Sequence, residues 1–372
     1  TLTVPVESTA RCEHDAKMSK SSGFHTACGG AEDIAIGPLH GTVVAIGNFD
    51  GVHRGHRSVI GAALKRAKAL GRPAAALTFA PHPRLFLRPQ DTLFQLSSPR
   101  DKLRLLAASG LDGAIVMNFD AQLAATSAAD FIERILVGRF GIGGAAIGFD
   151  FHFGHKRTGS PAYLAEQGAR LGFAVDIVPP LEDEGRPVSS GAVRTALSHG
   201  KVVEAAELLG APWFVSGEVI HGAKRGRDLG FPTANIKLDP SCGLKHGIYA
   251  VRVGIPESVR SRASGNPAAA GASVAGSPLS RGRAVKLFDG VANFGTRPMF
   301  DGGAPLLEVF LFDFDGDLYG QTLDAAFIGW IRHEQKFDSV EALKRQIAAD
   351  AVQARDVLAR AGDAFPKLGE VE

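Results

Sequence analysis

The chain is poor in cysteine, in net charge and in long apolar runs. It has 3 cysteines in 372 residues, and its formal net charge is +2. An odd and sparse cysteine count argues against a disulfide framework and is typical of a reducing compartment. A nearly balanced charge gives no reason to expect nucleic acid or an acidic membrane as the main partner.

Signals for membrane insertion and secretion are also lacking. No apolar run approaches the ~20 residues that a membrane-spanning helix needs. The first residues lack the charged start, apolar core and cleavage site of a signal peptide. We therefore expect a cytoplasmic protein. Its hydrophobic residues, 45% of the total, are enough for two cores, and its length suggests about two domains.

The first half of the chain has the pattern of an α/β domain. Residues 1–40 show no sustained period and are rich in Ser, Thr, Gly and Ala, which predicts a flexible tail. Strands are then expected at 42–47, 74–80, 113–119, 144–151 and 173–178, and helices at 55–70, 99–109, 127–140, 160–171 and 190–209. This alternation predicts a parallel sheet covered by helices on both faces, within residues 41–211.

The second half, residues 212–372, changes in character. Short β-like runs separated by glycine-rich turns are expected at 213–220, 232–238, 247–255, 284–294 and 306–314. Regular short strands of this kind predict an antiparallel barrel or sandwich, and residues 339–361 predict one long helix. Residues 256–283 consist largely of Ser, Ala, Gly, Pro and Arg, which predicts a flexible insertion.

Two histidines and three glycines lie within GNFDGVHRGH, residues 47–56, where the first predicted strand turns into the first predicted helix. Ligands of parallel sheets bind beyond the C-terminal ends of the strands. A helix that starts there directs free N–H groups and a positive dipole end at the ligand, and imidazoles can donate to phosphate oxygens. A P-loop is excluded because its Gly-Lys-Ser/Thr ending is missing. The residues indicate a phosphate site, with two turn-capping histidines as the alternative.

The HxGH spacing resembles the signature of nucleotidyltransferases that attack the α-phosphate of a nucleoside triphosphate. Four segments in the same order resemble the adenylyltransferase half of the bacterial bifunctional riboflavin kinase/FAD synthetase family. They are GNFDGVHRGH, TFAPHP (78–83), GFDFHFG (148–154) and SSGAVR (189–194). The resemblance implies a Rossmann-like nucleotidyltransferase domain that transfers AMP from ATP to FMN and releases FAD and pyrophosphate.

The same resemblance implies roles for single residues. His53 and His56 would contact the ATP phosphates as the catalytic pair. The other residues implied to bind nucleotide or phosphate are Gly47, Phe49, Asp50, Gly51, Gly55, Asp150, Ser189, Ser190 and Arg194. An arginine one turn into a helix that begins with two serines also suits an oxyanion on physical grounds. One departure is Ala80, where the family more often has Glu. We expect this residue to tune a contact with the flavin or the nucleotide and not to remove the chemistry.

GRDLGFPTAN, residues 226–235, resembles the riboflavin kinase module of the same family. The resemblance implies a β-barrel with a terminal helix that phosphorylates riboflavin to FMN with ATP. In it Thr233 and Asn235 would hold Mg²⁺, and Gly222 and Gly226 would bind the nucleotide. Hydroxyl and amide oxygens are hard ligands of the kind that Mg²⁺ accepts beside phosphate and water.

Glu308 lies inside a strand-like run, residues 306–312. The residues alone favour the solvated face of a strand for this carboxylate. By the resemblance it is the general base that takes the proton from the riboflavin 5′-hydroxyl. Two departures flank it, Met299 where Thr is usual and Phe310 where His is usual, and they raise the question of whether the kinase is weakened.

Two other classes of protein compete with this interpretation. A dehydrogenase is suggested by GIGGAA, residues 141–146, which mimics GxGxxA, but that motif should follow a strand and here it precedes one. A flavin-binding protein that has lost one or both activities is the second alternative. The presence of His53, His56 and Glu308 argues against it.

Overall fold

The computed structural model describes residues 23–183, 185–221, 231–256, 285–296 and 305–371. The insertion predicted at 256–283 lies outside these residues except for Pro256, and so do Gly222, Gly226 and Met299. The predicted α/β domain followed by an antiparallel β-barrel and a terminal helix is confirmed.

A six-stranded sheet forms the centre of the first half. Its strands are β1 (His25–Gly29), β2 (Val43–Ile46), β3 (Ala74–Ala80), β4 (Gly113–Asn118), β5 (Gly144–Gly148) and β6 (Ala174–Val178), and they lie in the order β1-β4-β3-β2-β5-β6. All neighbours are parallel. The chain runs from β2 through β3 to β4 on one side and then returns to β5 on the other. The strand order therefore reverses between β2 and β5, and the C-terminal ends of these two strands form a topological switch point, where ligands of such sheets bind.

The edge strand β1 corrects the prediction of a tail over residues 1–40 from residue 25 onward, while residues 1–22 of that predicted tail lie outside the described residues. His25 to Gly29 pair with Gly113 to Met117 of β4, and Ala27, Ile34 and Leu39 are buried. A five-residue strand with one buried side chain has too little periodicity to be visible in a sequence. Its order comes from backbone pairing with a strand almost 90 residues further along the chain, as the register shows.

Helices cover both faces of the sheet. They are α1 (Arg54–Leu70), α2 (Pro83–Leu87), α3 (Pro99–Ala107), α4 (Ala121–Ala125), α5 (Ala128–Asp130, continuing as a π-helix over Phe131–Arg139), α6 (Pro161–Leu171), α7 (Ser190–Ser198) and α8 (Val202–Leu209). The single helix predicted at 190–209 is two helices, because Gly200 adopts a left-handed conformation with φ +78°. A small hairpin of β7 (Glu182–Asp183) and β8 (Arg186–Pro187) precedes α7.

The second half is a closed antiparallel barrel. Its strands are β9 (Phe214–Ile220), β10 (Thr233–Lys237), β11 (Gly247–Pro256), β12 (Val285–Thr296), β13 (Pro305–Leu311) and β14 (Thr322–Arg332), in the order β10-β13-β12-β11-β14-β9, and α9 (Val340–Arg360) packs outside it. The sequence analysis missed β14. That strand is buried on both faces over most of its length, between the barrel interior and α9, and so it lacks the alternation that marks a half-exposed strand.

Specific buried bonds hold the two halves against each other. Arg104 of α3 donates to both carboxylate oxygens of Asp324 on β14, at 2.8 and 2.6 Å, and Ser216 donates to the same carboxylate. Trp213 donates its indole N–H to the carbonyl oxygen of Leu96 at 2.8 Å. Breaking a buried ion pair leaves a charge uncompensated, so these bonds fix how one half sits on the other.

Candidate active sites

The loop after β2 brings the HxGH residues to the start of α1. His53 is the N-cap of that helix, and its Nδ1 accepts a hydrogen bond from the backbone N–H of His56 at 3.3 Å. Gly51 has φ +78°, and a Cβ there would lie 2.9 Å from the side chain of Leu96. Only glycine meets both conditions, so the tight turn that aims the helix start at the switch point depends on it.

The two imidazoles stack on each other. Their ring centroids are 3.6 Å apart with an interplanar angle of 22°, and Phe49 packs edge-on against His56 at 5.3 Å. A Cβ on Gly55 would lie 3.1 Å from the His53 ring and 3.2 Å from the carbonyl oxygen of Val188, and one on Gly47 would lie 3.3 Å from the ring of Phe49. The glycines of the motif therefore make room for the rings and for the segment before α7.

Burial keeps the histidines of this site neutral at neutral pH. Desolvation, and secondarily the charge of Arg194, lowers the pKa of His53 to about 4. Desolvation, then His53 and Lys102, lowers the pKa of His56 well below its usual range. His82, at the end of β3, also has a pKa lowered to about 4, mainly by burial. The rings are therefore neutral at neutral pH, and the cationic side chains beside them are Arg194 and Lys102.

The stability of the protein in acid should depend on His53. Its pKa of about 4 in the folded state lies below the 6.5 of an unperturbed histidine, so the unfolded chain takes up the proton first as the pH falls. The folded state should lose roughly 2 kcal/mol at pH 5 through this one group. Urea unfolding at pH 7.5 and pH 5 measures the loss. His53→Asn, which keeps a capping side chain but cannot be protonated there, should reduce it, whereas the exposed His199→Asn should not. An equal loss in all three proteins would contradict the assignment.

The start of α7 lies against the HxGH loop. Ser189 caps the helix by accepting from the N–H of Ala192 at 3.1 Å, and Ser190 donates to the carbonyl oxygen of Asp50 at 3.0 Å. Arg194 donates to the Asp50 carboxylate and to the carbonyl oxygen of Phe94. Segments 140 residues apart therefore meet at one end of the sheet, as the predicted phosphate site requires.

Asp50 has a structural place in this arrangement. Its carboxylate is buried, and it accepts hydrogen bonds from the N–H groups of Leu96 at 2.8 Å and Ser97 at 3.1 Å as well as from Arg194. These bonds occupy the carboxylate. The geometry shows Asp50 holding the loop and fixing the position of Arg194.

Lys102 of α3 is a residue of this site that the sequence analysis missed. Its Nζ donates to the carbonyl oxygens of Asn48 at 3.3 Å and Phe79 at 3.4 Å and to the hydroxyl of Thr78 at 3.3 Å. It therefore ties together the ends of β2 and β3. Burial lowers its pKa, and Asp50 opposes that shift. Its signal in the sequence is a lysine among the apolar positions of a predicted helix.

Asp150 lies at the other side of the switch point. It follows β5, the neighbour of β2, and its carboxylate folds back over Gly148, where a Cβ would lie 3.2 Å from Oδ1. Asp150 is exposed, and Phe149 beside it is 50% exposed. Phe149 and Asp150 are therefore accessible where β5 ends, next to β2.

The barrel places the predicted kinase residues on one face of two neighbouring strands. Asn235 of β10 pairs with Glu308 of β13, and Thr233 pairs with Phe310. On β10, Ala234 and Ile236 alternate with Thr233 and Asn235 and belong to the barrel core. Thr233, Asn235 and Glu308 therefore lie on the outer face of the barrel. Asn235 is buried and Glu308 is half-buried. Glu308 therefore lies directly opposite Asn235 on the same face and is half-buried, where its strand position alone suggested open solvent.

Thr233 and Asn235 suit a magnesium ion carried by a nucleotide. The amide nitrogen of Asn235 donates to the carbonyl oxygen of Thr233 at 3.4 Å, which leaves the amide oxygen as the hard ligand. The described part of the chain holds no group of three or more His, Cys, Asp or Glu that could bind a metal by itself. Mg²⁺ commonly takes one or two protein ligands and completes its shell with phosphates and water.

Phe310, one of the two departures from the family pattern, packs within an aromatic group. Its ring lies edge-on to Phe231 at 5.2 Å and to Phe312 at 5.8 Å. The position usually held by histidine thus contributes packing beside Glu308.

Among the described residues, no helix is both long enough and apolar enough to cross a membrane.

Comparisons with known proteins agree with the geometry. A family profile for FAD synthetase matches residues 36–192, and one for riboflavin kinase matches residues 209–358. The bifunctional riboflavin kinase/FMN adenylyltransferase of Pseudomonas fluorescens is 38% identical over 324 residues, which is 87% of this chain and 95% of that protein. The protein of the same name from Escherichia coli K12 is 36% identical over 327 residues, 88% of this chain and 96% of its own.

A solved structure supports the fold over nearly the whole chain. A crystal structure described as a macrolide-efflux protein from Streptococcus pneumoniae superimposes with a TM-score of 0.74 at 30% identity. The match covers 89% of this chain and 99% of that one. Both halves and their order are therefore shared with it.

Proposed function

Since the chain belongs to the bifunctional riboflavin kinase/FMN adenylyltransferase family, we propose that the two constellations described above are its two active sites. The chain phosphorylates riboflavin to FMN and then adenylylates FMN to FAD, with ATP as the second substrate of both reactions. We place the boundary between the two catalytic halves at residues 211–212, between the end of α8 and the start of β9. The cytoplasm, which supplies ATP, is the proposed location.

Adenylyl transfer is assigned to the switch point of the sheet. The FMN phosphate attacks the α-phosphorus of ATP, and pyrophosphate leaves, so the protein has to align the two and stabilise charge on the departing oxygens. His53 and His56 donate neutral N–H groups to the phosphates, Arg194 adds a cation, and the first turn of α1 adds free backbone N–H groups. The observation that carries this assignment is the contact between two distant segments, 47–56 and 189–194, around the stacked histidines.

Riboflavin phosphorylation is assigned to the outer face of the barrel, where Thr233, Asn235 and Glu308 lie. Glu308 accepts the proton of the riboflavin 5′-hydroxyl as the oxygen attacks the γ-phosphorus, and ADP leaves. Thr233 and Asn235 would hold Mg²⁺, which neutralises charge on the phosphates when bound. The cross-strand register of Asn235 with Glu308 carries this assignment, because it places a hard ligand and a base side by side.

The magnesium role of Asn235 can be measured directly. In Asn235→Ala, the Mg²⁺ concentration for half-maximal FMN formation should rise at least tenfold, because one of few protein ligands is lost. FAD formation from supplied FMN should keep its Mg²⁺ dependence, since that site lies in the other half. Lys237→Ala, an exposed residue on the same strand, is the matched control. An unchanged Mg²⁺ dependence of FMN formation in Asn235→Ala would refute the role.

A further inference from the structure

Asn293 is a polar residue beside the kinase site to which no role has been given above. It lies on β12 directly opposite Glu308 of β13, which in turn lies opposite Asn235 of β10. Residues directly opposite in an antiparallel pair share a face. The three side chains therefore form one row across three neighbouring strands, while Ala292 and Phe294, which flank Asn293, face the barrel core.

The amide oxygen of Asn293 is buried and has no hydrogen-bond partner in the part of the chain that the structure describes. A buried acceptor without a donor destabilises the folded protein, and native proteins keep few of them. Glu308 and Asn235 provide other polar groups in the same row. An unpaired acceptor in such a place is explained when a bound molecule brings an O–H or N–H group to it.

The order of the strands indicates which molecule this is. Glu308 lies between Asn235 on one side and Asn293 on the other, and neighbouring strands are ≈ 4.8 Å apart. Phosphoryl transfer needs the attacking hydroxyl in line with the γ-phosphorus and its leaving oxygen. If the phosphates lie on the Asn235 side, the rest of the molecule that carries the hydroxyl extends past Glu308 on the opposite side, over Asn293.

We infer that Asn293 binds riboflavin, its Oδ1 accepting a hydrogen bond from a hydroxyl of the ribityl chain. The contact holds the chain so that the 5′-hydroxyl lies against Glu308. This inference rests on the proposed roles of Glu308 and Asn235 and adds a residue on the substrate side of that row. The polyol part of the substrate supplies the donor that Oδ1 lacks among the described residues.

The test compares the KM for riboflavin with the KM for MgATP in Asn293→Leu. This substitution keeps the size of the side chain and removes its polar atoms. The KM for riboflavin should rise at least tenfold, while the KM for MgATP and the conversion of supplied FMN to FAD should change less than twofold. The melting temperature without substrate should stay the same or rise, because an unpaired buried acceptor has been removed. Lys286→Ala, exposed at the other end of the same strand, should leave both KM values unchanged.

Each other outcome has a distinct meaning. An unchanged KM for riboflavin overturns the inference and leaves the proposed active site intact. A rise in the KM for MgATP, or in the Mg²⁺ requirement, instead of the KM for riboflavin also overturns it, since the oxygen then serves the phosphate side. A lower melting temperature with both activities reduced overturns it in favour of a structural role. If Glu308→Gln keeps full kinase activity, the proposed function fails first and independently of Asn293.

Discussion

His56→Ala is expected to abolish FAD formation while FMN still accumulates from riboflavin. His56 is buried against His53 and Phe49, and its Nδ1 has no hydrogen-bond partner among the described residues. In its proposed role, a neutral ring held this way would donate to a phosphate without first giving up a bond to the protein. Loss of one such preorganised donor lowers kcat by ~10²–10³.

The measurement is the chromatographic separation of flavins after incubation with riboflavin, ATP and Mg²⁺. The parent protein should give FAD, and His56→Ala should stop at FMN with an unchanged rate of FMN formation. His199→Ala replaces an exposed histidine of the same half and should behave like the parent. Loss of both products in His56→Ala would mean that the fold is damaged, and a circular dichroism spectrum and melting curve would show it. Normal FAD formation would exclude His56 from the site.

Glu308→Ala should give the reverse pattern. FMN formation from riboflavin should fall by ~10²–10⁴, the usual contribution of general-base catalysis, while supplied FMN is still converted to FAD. Glu308 lies opposite Asn235 and Asn293 on the outer face of the barrel. Its loss should therefore leave the switch point of the first half untouched.

Glu308→Gln separates the proton transfer from the packing of the side chain. It keeps the size and the hydrogen-bonding oxygen but cannot accept the proton, so its kinase activity should be as low as that of Glu308→Ala. Glu341→Gln, an exposed position near the start of α9, is the control. Recovery of activity in Glu308→Gln would show that the carboxylate is not the base. Loss of adenylylation in Glu308→Gln would show that the two sites are coupled across the domain contact.

Much of the fold follows from local patterns. The sequence predicts the five sheet strands after residue 40 and the longer helices between them within a few residues, because alternation of apolar runs and helical periods is a local property. It does not predict the five-residue helices α2 and α4. The elements that were missed depend on partners. β1 is ordered by pairing with β4, β14 is buried on both faces and so lacks alternation, and the break in the predicted helix 190–209 occurs at one left-handed glycine, Gly200.

For the sites, the sequence indicates candidate residues, although not Lys102 or Asn293, and only the tertiary structure decides how those candidates are arranged and charged. The spacing of His53, Gly55 and His56 indicates a phosphate site, because a strand-to-helix turn aims its N–H groups in one direction. That the histidines are neutral follows only from burial in the assembled fold and from Arg194, about 140 residues away. The place of Asn293 beside Glu308 likewise depends on strand register. The charge state of a side chain and its cross-strand neighbours depend on residues that are distant in the chain. Local sequence patterns therefore do not predict these two properties.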